Sequence, residues 1–231
     1  MRKLVIMTEE RGRRVLDAAG ELLLAHGYRK VTISDVAERA AVGKGTVYLH
    51  WPSKAELFAT VLVREGVELG RAFVASLRRD PGEVLLHRTM RSSFLIVMAR
   101  PLARALYTAD TALLGSLITD TKTGTALTRG NAGYHPRHLG LMHRHGLIAD
   151  DPATDPELSY RLTATAWGFF ALDALVEAPL DLTGRADALA TTMRRAFEPA
   201  RLPDHDALVV AAAEIADLYD AQLTELGASL P

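Results

Sequence analysis

The chain has 231 residues, of which 48% are hydrophobic and 24% charged, and its formal net charge is −1. This composition predicts a folded protein with a sizeable core and excludes an intrinsically disordered chain. Cysteine is absent, which excludes a disulfide framework, a thiolate metal site and a cysteine nucleophile. The sequence has no run of about 18 apolar residues, so we expect no transmembrane helix and a cytoplasmic location.

The charges are distributed unevenly along the chain. Residues 1–60 carry 10 Lys and Arg against 7 Asp and Glu, a net charge of +3. Residues 61–231 carry 17 against 21, a net charge of −4, and the two parts together give the total of −1. A mildly basic end on an acidic remainder favours binding of a polyanion at that end only.

The hydrophobic pattern predicts an all-α fold, because apolar residues recur at three- and four-residue steps in stretches rich in Ala, Leu and Arg. The first helix is expected over residues 9–26, and Gly27 is expected to end it in a left-handed conformation. Thr32 followed three residues later by Asp35 predicts the capped start of a second helix. A third short helix is expected near residues 44–50.

Ser53 and Glu56 form a second capping pattern, which predicts a fourth helix that continues toward Leu77. The sequence Asp80-Pro81-Gly82 then predicts a break. Further helices are expected over residues 83–99, 102–129 (with a kink), 138–145, 157–177, 185–198 and 204–226, with a loop at 130–136 and a linker at 150–156.

Residues 32–54 carry the strongest functional pattern. Two helices of about eight residues cannot each bury a face alone, so they must pack against the first helix. The small residues Ala37 and Ala40 allow a close, steep approach of the two helices, which is typical of a helix-turn-helix. The residues expected to be exposed on the third helix are Lys44, Gly45, Thr46, Tyr48 and His50, and they suit base edges and phosphates in a DNA major groove.

Residues 11–62 resemble the DNA-binding domain of the TetR family of repressors. The resemblance is carried by a helix that ends in HGY and by the sequence VTISDVAERAAVGKGTVYLHWPSKAELF. The matching positions are Gly27, Tyr28, Thr32, Val36, Ala37, Ala40, Val42, Thr46, Tyr48, Lys54, Leu57 and Phe58. The resemblance implies a helix-turn-helix DNA-binding domain over residues 1–62 and a larger helical ligand-binding and dimerisation domain over residues 63–231.

The resemblance also implies roles for individual residues. Tyr48, Lys54 and Thr32 are expected to contact DNA phosphates, and Lys44, Gly45 and Thr46 lie where the family reads bases. The expected DNA-binding residues are Thr32, Lys44, Gly45, Thr46, Tyr48, His50 and Lys54. The basic residues near the N-terminus form an arm with two possible roles. The arm either contacts the DNA backbone and minor groove or is merely a disordered tail. It comprises Arg2, Lys3, Arg11, Arg13 and Arg14.

The predicted helix over residues 157–177 is apolar around much of its circumference, and its neighbour over residues 185–198 offers Leu189, Met193 and Phe197 at four-residue steps. We expect these two helices to form a four-helix dimer interface, although the pattern also fits the core of a monomer. A pocket for a hydrophobic ligand is expected among the central helices, lined by some of Phe94, Met98, Leu102, Leu106, Tyr107, Leu114, Trp167 and Phe170.

The histidines at positions 135, 138, 143 and 145 are close in sequence but lack a metal-ligand spacing throughout, so solvated or capping roles are favoured and no metal or cofactor is expected. Motifs of the common enzyme classes are absent, so no enzyme is expected. The sequence predicts a homodimeric repressor that binds a palindromic DNA operator and is released by a small hydrophobic effector. A transcriptional activator of the same fold and a ligand-independent DNA-binding protein are the alternatives.

Overall fold

The computed structural model describes residues 2–117, 136–175, 179–228 and 230, and over these residues it contains helices and no strand. The all-α prediction is therefore confirmed. The helices are α1 (Arg2–His26), α2 (Ile33–Arg39), α3 (Lys44–His50), α4 (Lys54–Arg79), α5 (Leu86–Ala99), α6 (Pro101–Tyr107), α7 (Thr111–Leu114), α8 (Pro136–Arg144), α9 (Leu158–Leu175), α10 (Leu182–Phe197) and α11 (His205–Gly227). None of these helices is long and apolar enough to cross a membrane.

The chain forms two compact units. The first unit lies within Met1–Val67, Pro101–Thr128 and Glu225–Pro231, and the second lies within Glu68–Arg100 and Arg129–Thr224. Helix α4 begins in the first unit and ends in the second, and α6 and α7 belong to the first. The domain boundary expected between residues 62 and 63 stays a prediction.

The core of the first unit is built on the apolar stripe of α1, which buries Val15, Leu16 and Leu23 as the spacing predicts. Helix α4 adds Phe58, which is fully buried and meets the ring of Tyr28 edge to face at 5.5 Å. The helix-turn-helix segment and the α6–α7 segment pack on the same cluster. These contacts hold two helices of seven residues that are too short to be stable alone.

Several local signals are confirmed. Gly27 ends α1 with φ +75°, and its N–H donates to the carbonyl of Leu23 at 2.8 Å. Thr32 caps α2 in a reciprocal capping box, in which its hydroxyl accepts from the Asp35 N–H at 3.2 Å and its own N–H donates to the Asp35 carboxylate at 2.8 Å. At the start of α4, the Ser53 hydroxyl accepts from the Glu56 N–H at 3.1 Å.

Several boundaries differ from the expectation, three of them with a structural consequence. Helix α1 begins at Arg2, so the basic arm is the first part of a helix rather than a separate tail. Helix α5 begins at Leu86 because Pro81–Val84 forms a 3₁₀ turn first. The kinked helix expected over residues 102–129 is wrong for residues 102–117, where the chain breaks between α6 and α7.

The break between α6 and α7 has a local cause. Ala109 has φ +51°, which ends α6, and the Asp110 carboxylate accepts from the N–H groups of Ala112 and Leu113 to start α7. Gly115, at φ +56°, ends α7 after one turn. Residues 118–129 of the expected helix and residues 130–135 of the expected loop lie outside the described residues.

The second unit is organised by α10, which packs along α5 and also contacts α9. The stripe of Leu189, Met193 and Phe197 is buried by these contacts. The apolar surface of this stripe is thus used inside the chain, and the outer face of α10 carries Asp187 and Thr191. The dimer interface expected of the helices over residues 157–177 and 185–198 stays a prediction.

Candidate nucleic-acid interface

Helix α3 is anchored to the protein by one face. Val47 is fully buried in the core of the first unit, and Val36 and Ala37 of α2 are buried beside it. At the end of α2, Arg39 forms a salt bridge of 2.6 Å with Glu21 of α1. The orientation of α3 is therefore set by packing against α1 and α2.

The C-terminal end of α3 is held by a hydrogen bond to α4. Trp51 follows the helix, is buried, and donates through its indole Nε1 to the Thr60 hydroxyl at 3.0 Å. That hydroxyl in turn donates to the carbonyl of Glu56 at 2.8 Å. The ring of His50, which is half-buried, lies 5.4 Å from the ring of Trp51.

The outer face of α3 presents a cation, a phenol and an apolar side chain. Lys44 and Gly45 are exposed, Thr46 is half-buried, and Tyr48 is exposed. No salt bridge engages Lys44 in the described part of the chain. The predicted residues Lys44, Gly45 and Tyr48 are therefore brought together on one surface, which is free of acidic residues along α3.

Gly45 lies in open space, because a Cβ added to it would have no atom of the protein within 4 Å. The fold therefore does not require glycine at this position. A glycine in the first turn of an exposed helix is unfavourable by about 1 kcal/mol relative to alanine. Close approach of another molecule to the helix backbone is a physical reason for keeping it.

Leu49 was missed by the sequence analysis. It is 85% exposed, the most exposed of the large hydrophobic side chains that the structure describes. A helical wheel would have found it, since two residues after the buried Val47 correspond to a rotation of about 200° and therefore to the outward face. An outward leucine on such a helix is suited to contact with the methyl group of thymine.

Lys54 does not extend freely into solvent. Its Nζ donates to the carbonyl of Tyr28 at 2.5 Å and lies 4.3 Å from the centre of the Tyr28 ring. Partial burial lowers the pKa of Lys54, and the nearby Asp35 carboxylate opposes that effect. Lys54 thus ties the start of α4 to the turn after α1, and its phosphate contact stays a prediction.

Thr32 is exposed but its hydroxyl already accepts the capping hydrogen bond of α2. The hydrogen bonds from the Thr32 backbone and side chain lower the pKa of Asp35, which keeps the capping carboxylate ionised. In the arm, Arg11, Arg13 and Arg14 are exposed on α1, and the side chains of Arg2 and Lys3 lie outside the described residues.

The residues predicted to line a ligand pocket divide between the two units. Leu106 and Leu114 belong to the core of the first unit, and Leu102 and Tyr107 pack against it. Burial raises the pKa of Tyr107. The remaining residues, Phe94, Met98, Trp167 and Phe170, belong to the second unit, where the rings of Phe94 and Phe170 lie 5.1 Å apart.

The histidines between positions 138 and 145 have structural partners. The buried His138 is hydrogen-bonded through Nδ1 to the hydroxyl of Tyr219 at 2.8 Å, and His145 lies 3.3 Å from the carboxylate of Glu214. His143 lies 3.9 Å from the carboxylate of Asp151. Within the described ranges, no three His, Asp or Glu side chains are grouped closely enough to hold a metal ion, and His135 lies outside those ranges.

The geometry therefore defines a helix-turn-helix protein with a solvent-facing third helix. Residues 15–61 match the family model described as "Bacterial regulatory proteins, tetR family". This segment therefore carries the DNA-binding domain that the family model describes, and the resemblance seen in the sequence is confirmed for it.

Relatives of known description match the same segment. The HTH-type transcriptional repressor KstR of Rhodococcus jostii (strain RHA1) is 46% identical over 57 residues, which cover 25% of this chain and 27% of the repressor. The HTH-type transcriptional regulator SrpR of Pseudomonas putida is 38% identical over 61 residues, which cover 26% of this chain and 29% of the regulator. The matched segment thus spans little more than a quarter of these relatives.

Solved structures resemble the fold over most of the chain. The transcriptional regulator FadR from Bacillus subtilis, in complex with stearoyl-CoA, matches with a TM-score of 0.58 at 14% identity over 78% of this chain and 96% of FadR. NalD, the secondary repressor of the MexAB-OprM multidrug efflux pump in Pseudomonas aeruginosa, matches with a TM-score of 0.54 at 23% identity over 83% of this chain and 97% of NalD. At these identities the likeness concerns the fold.

Proposed function

We propose that the protein is a ligand-responsive transcriptional repressor that binds a palindromic operator as a homodimer and is released by a small hydrophobic molecule. The observation that carries the proposal is the outer face of α3, where Lys44, Gly45, Tyr48 and Leu49 are exposed while Val47 anchors the helix in the core. A short helix held in this way can enter a major groove without rearrangement of its own fold.

The groups on α3 match complementary parts of DNA. Lys44 can donate to the O6 and N7 acceptors of guanine, and the Tyr48 hydroxyl can donate to a phosphate oxygen. Leu49 supplies an apolar contact for thymine, and Gly45 permits the helix backbone to approach the base edges. Lys54 uses one of its three N–H donors on Tyr28, so two remain for a phosphate.

Operator binding tests the proposal directly. The purified full-length protein is titrated at fixed salt against DNA fragments from its own genomic neighbourhood, beside a Lys44→Gln/Tyr48→Phe double variant. We expect selective binding by the wild type and a loss of about tenfold or more in the variant, since each lost contact contributes about 1–3 kcal/mol.

The matched control is Arg104→Gln, which removes one positive charge from an exposed position on α6 of the same unit. It should bind the operator like the wild type. Weak and unselective binding by all three proteins would contradict the proposal. Hydrophobic compounds that bind the protein but leave operator affinity unchanged would contradict its ligand-responsive part.

The exposed glycine on α3 gives a sharper prediction. Gly45→Ala should leave the fold intact or stabilise it by up to about 1 kcal/mol, because alanine has the higher helix propensity and the added Cβ meets no protein atom. It should weaken operator binding by about tenfold, because the methyl group lies between α3 and the bases and costs contacts worth about 1–3 kcal/mol. Thermal unfolding and fluorescence anisotropy with labelled operator measure the two effects.

Gly140→Ala is the control for this variant. Gly140 is also a helical glycine, on α8, with no protein atom within 4 Å of an added Cβ. This variant should gain a similar stability, up to about 1 kcal/mol, and should leave DNA binding unchanged. Wild-type operator affinity in Gly45→Ala would show that the backbone of α3 does not approach the bases closely.

The dimer part of the proposal rests on the outer face of α9. Tyr160, Ala164, Gly168, Leu172 and Leu175 are all exposed, at steps of four, four, four and three residues along the helix. Tyr160 is 77% and Leu175 is 78% exposed, and the stripe contains no charged residue. A continuous apolar stripe with small residues at its centre is suited to pack against the same stripe of a second copy.

The effector part rests on the aromatic residues of the second unit, among them the paired rings of Phe94 and Phe170. Apolar and aromatic walls suit a hydrophobic ligand. Helix α4 begins beside the helix-turn-helix at Lys54 and continues into the second unit as far as Arg79. A ligand that moves this helix can weaken operator binding, and a coupling free energy of about 1–3 kcal/mol between the two sites is sufficient.

A further inference from the structure

A second polar surface lies within the second unit, between α4 and α11. It is a groove of about 480 Å³, lined by Arg71, Val74, Ala75, Arg78 and Arg79 of α4 and by Asp220 of α11. The lining therefore carries three guanidinium groups against one carboxylate, a net charge of +2. This contrasts with the net charge of −4 over residues 61–231 as a whole.

The three arginines are not equivalent. Arg78 forms a salt bridge with Asp220, which fixes its guanidinium beside the groove. Arg71 and Arg79 are exposed and form no salt bridge with the residues that the structure describes, although Arg79 is close enough to Asp80 to lower the pKa of that carboxyl. Other arginines of this unit do form salt bridges, including Arg88, Arg91, Arg100, Arg144 and Arg161.

The spacing of these arginines places them along one groove. Positions 78 and 79 are seven and eight residues after position 71, so their side chains leave α4 within about 80° of that of Arg71 and about 10–12 Å from it along the axis. Val74 and Ala75, between them, give the groove an aliphatic floor. A single small anion cannot reach both ends, whereas an elongated molecule with several anionic groups can.

We propose that this groove binds an organic polyanion that carries two or more phosphate or carboxylate groups. Arg71 and Arg79 each provide a planar pair of N–H donors that matches the oxygen atoms of phosphate or carboxylate. Arg78, which is paired with Asp220, adds further N–H donors beside Arg79. The volume of the groove lies within the range of about 300–1,000 Å³ that is usual for small-molecule sites.

Calorimetric titration of the full-length protein with tripolyphosphate and with citrate tests this site. These probes separate phosphate from carboxylate as the preferred group. We expect saturable binding of at least one probe, and a loss of about tenfold or more in affinity in Arg71→Gln/Arg79→Gln, because the variant removes the charge-assisted hydrogen bonds at both ends of the groove. The thermal unfolding of this variant should match that of the wild type, since neither arginine holds the fold together.

Two further variants decide where the anion binds. Arg104→Gln/Arg201→Gln removes the same charge from exposed positions outside the groove and should keep wild-type affinity. Lys44→Gln, which alters the DNA-binding face, should also keep it. The proposal is overturned by no saturable binding, by wild-type affinity in Arg71→Gln/Arg79→Gln, or by an equal loss in either of the other variants. Because DNA plays no part in this titration, failure here leaves the proposed repressor function standing.

Discussion

If two copies associate through the α9 stripe as proposed, the Gly168→Arg variant is expected to be a folded monomer at concentrations where the wild type is a dimer. Gly168 lies at the centre of the exposed stripe on α9, and an added Cβ would meet no atom of its own chain within 4 Å. The arginine therefore leaves the protomer intact. In a dimer it would place two unpaired charges in an apolar contact, at a cost of several kcal/mol. Analytical ultracentrifugation measures the expected change in mass.

Loss of the dimer should also reduce operator binding. Two linked reading helices gain about 10²–10⁴ in affinity over a single one when both half-sites are engaged. Gly168→Arg is therefore expected to lose about 10²-fold or more on a palindromic fragment and little on an isolated half-site. If the variant preferred the palindrome over the half-site by the same factor as the wild type, the α9 stripe would not be what allows two copies to bind the operator together.

Gly140→Arg is the matched control, since it makes the same substitution at another exposed helical glycine of the second unit, outside the α9 stripe. This variant should remain a dimer and bind the palindrome like the wild type. If both arginine variants stay dimeric, the copies associate through a different surface. If both become monomers, the effect is one of charge or folding, and the assignment to α9 is wrong.

The parts of the fold that could be predicted from the sequence are those set by local interactions. The capping box of Thr32 and Asp35 spans three residues, and the left-handed end of α1 requires glycine at a single position, Gly27. The buried face of α1 follows from the helical period. Similarly, the exposure of Lys44 and Tyr48 could be predicted, because the apolar residues of α3 identify the face of the helix that is buried.

The remainder depends on contacts between distant residues. The hydrogen bond of Lys54 to a carbonyl 26 residues earlier in the chain could not be predicted from local sequence, whereas its contact with a DNA phosphate stays a prediction. The apolar stripe of α10 has the pattern of an interface, and only the position of α5 shows that it is filled from within the chain. The division of the expected pocket residues between two units could not be predicted for the same reason. Helical periodicity shows which positions are apolar, but not which residues they contact.

A contact over 111 residues gives the largest predicted effect on stability. The carboxylate of Glu198, at the end of α10, is fully buried and accepts a hydrogen bond of 2.8 Å from the backbone N–H of His87. It also lies 2.9 Å from the Nδ1 of His87 and 3.3 Å from the Nε of Arg194. Leu85, which precedes α5, provides no side-chain cap, so Glu198 supplies the acceptor that the helix start otherwise lacks.

Glu198→Ala should lower the free energy of unfolding by about 2–4 kcal/mol. The substitution leaves the His87 N–H without its acceptor and removes the negative charge that compensates Arg194 and the positive end of α5. This loss is smaller than the largest losses seen on breaking a buried ion pair. The reason is that the side chains of His87 and Arg194 are about a quarter and a third exposed, so water can solvate them once the carboxylate is removed. Urea unfolding at one fixed protein concentration measures it, since dimerisation would make stability depend on concentration.

Glu198→Gln separates the two contributions of this side chain. Its amide oxygen can still accept from the His87 N–H, so about half of the loss is expected from the missing charge alone. Asp217→Ala, at an exposed position of α11, should change stability by less than about 0.5 kcal/mol. If Glu198→Ala were as stable as the wild type, α5 would not need this acceptor. The apolar packing of α5 along α10, together with the salt bridge of Arg91 and Asp187, would then be enough to hold the two helices together.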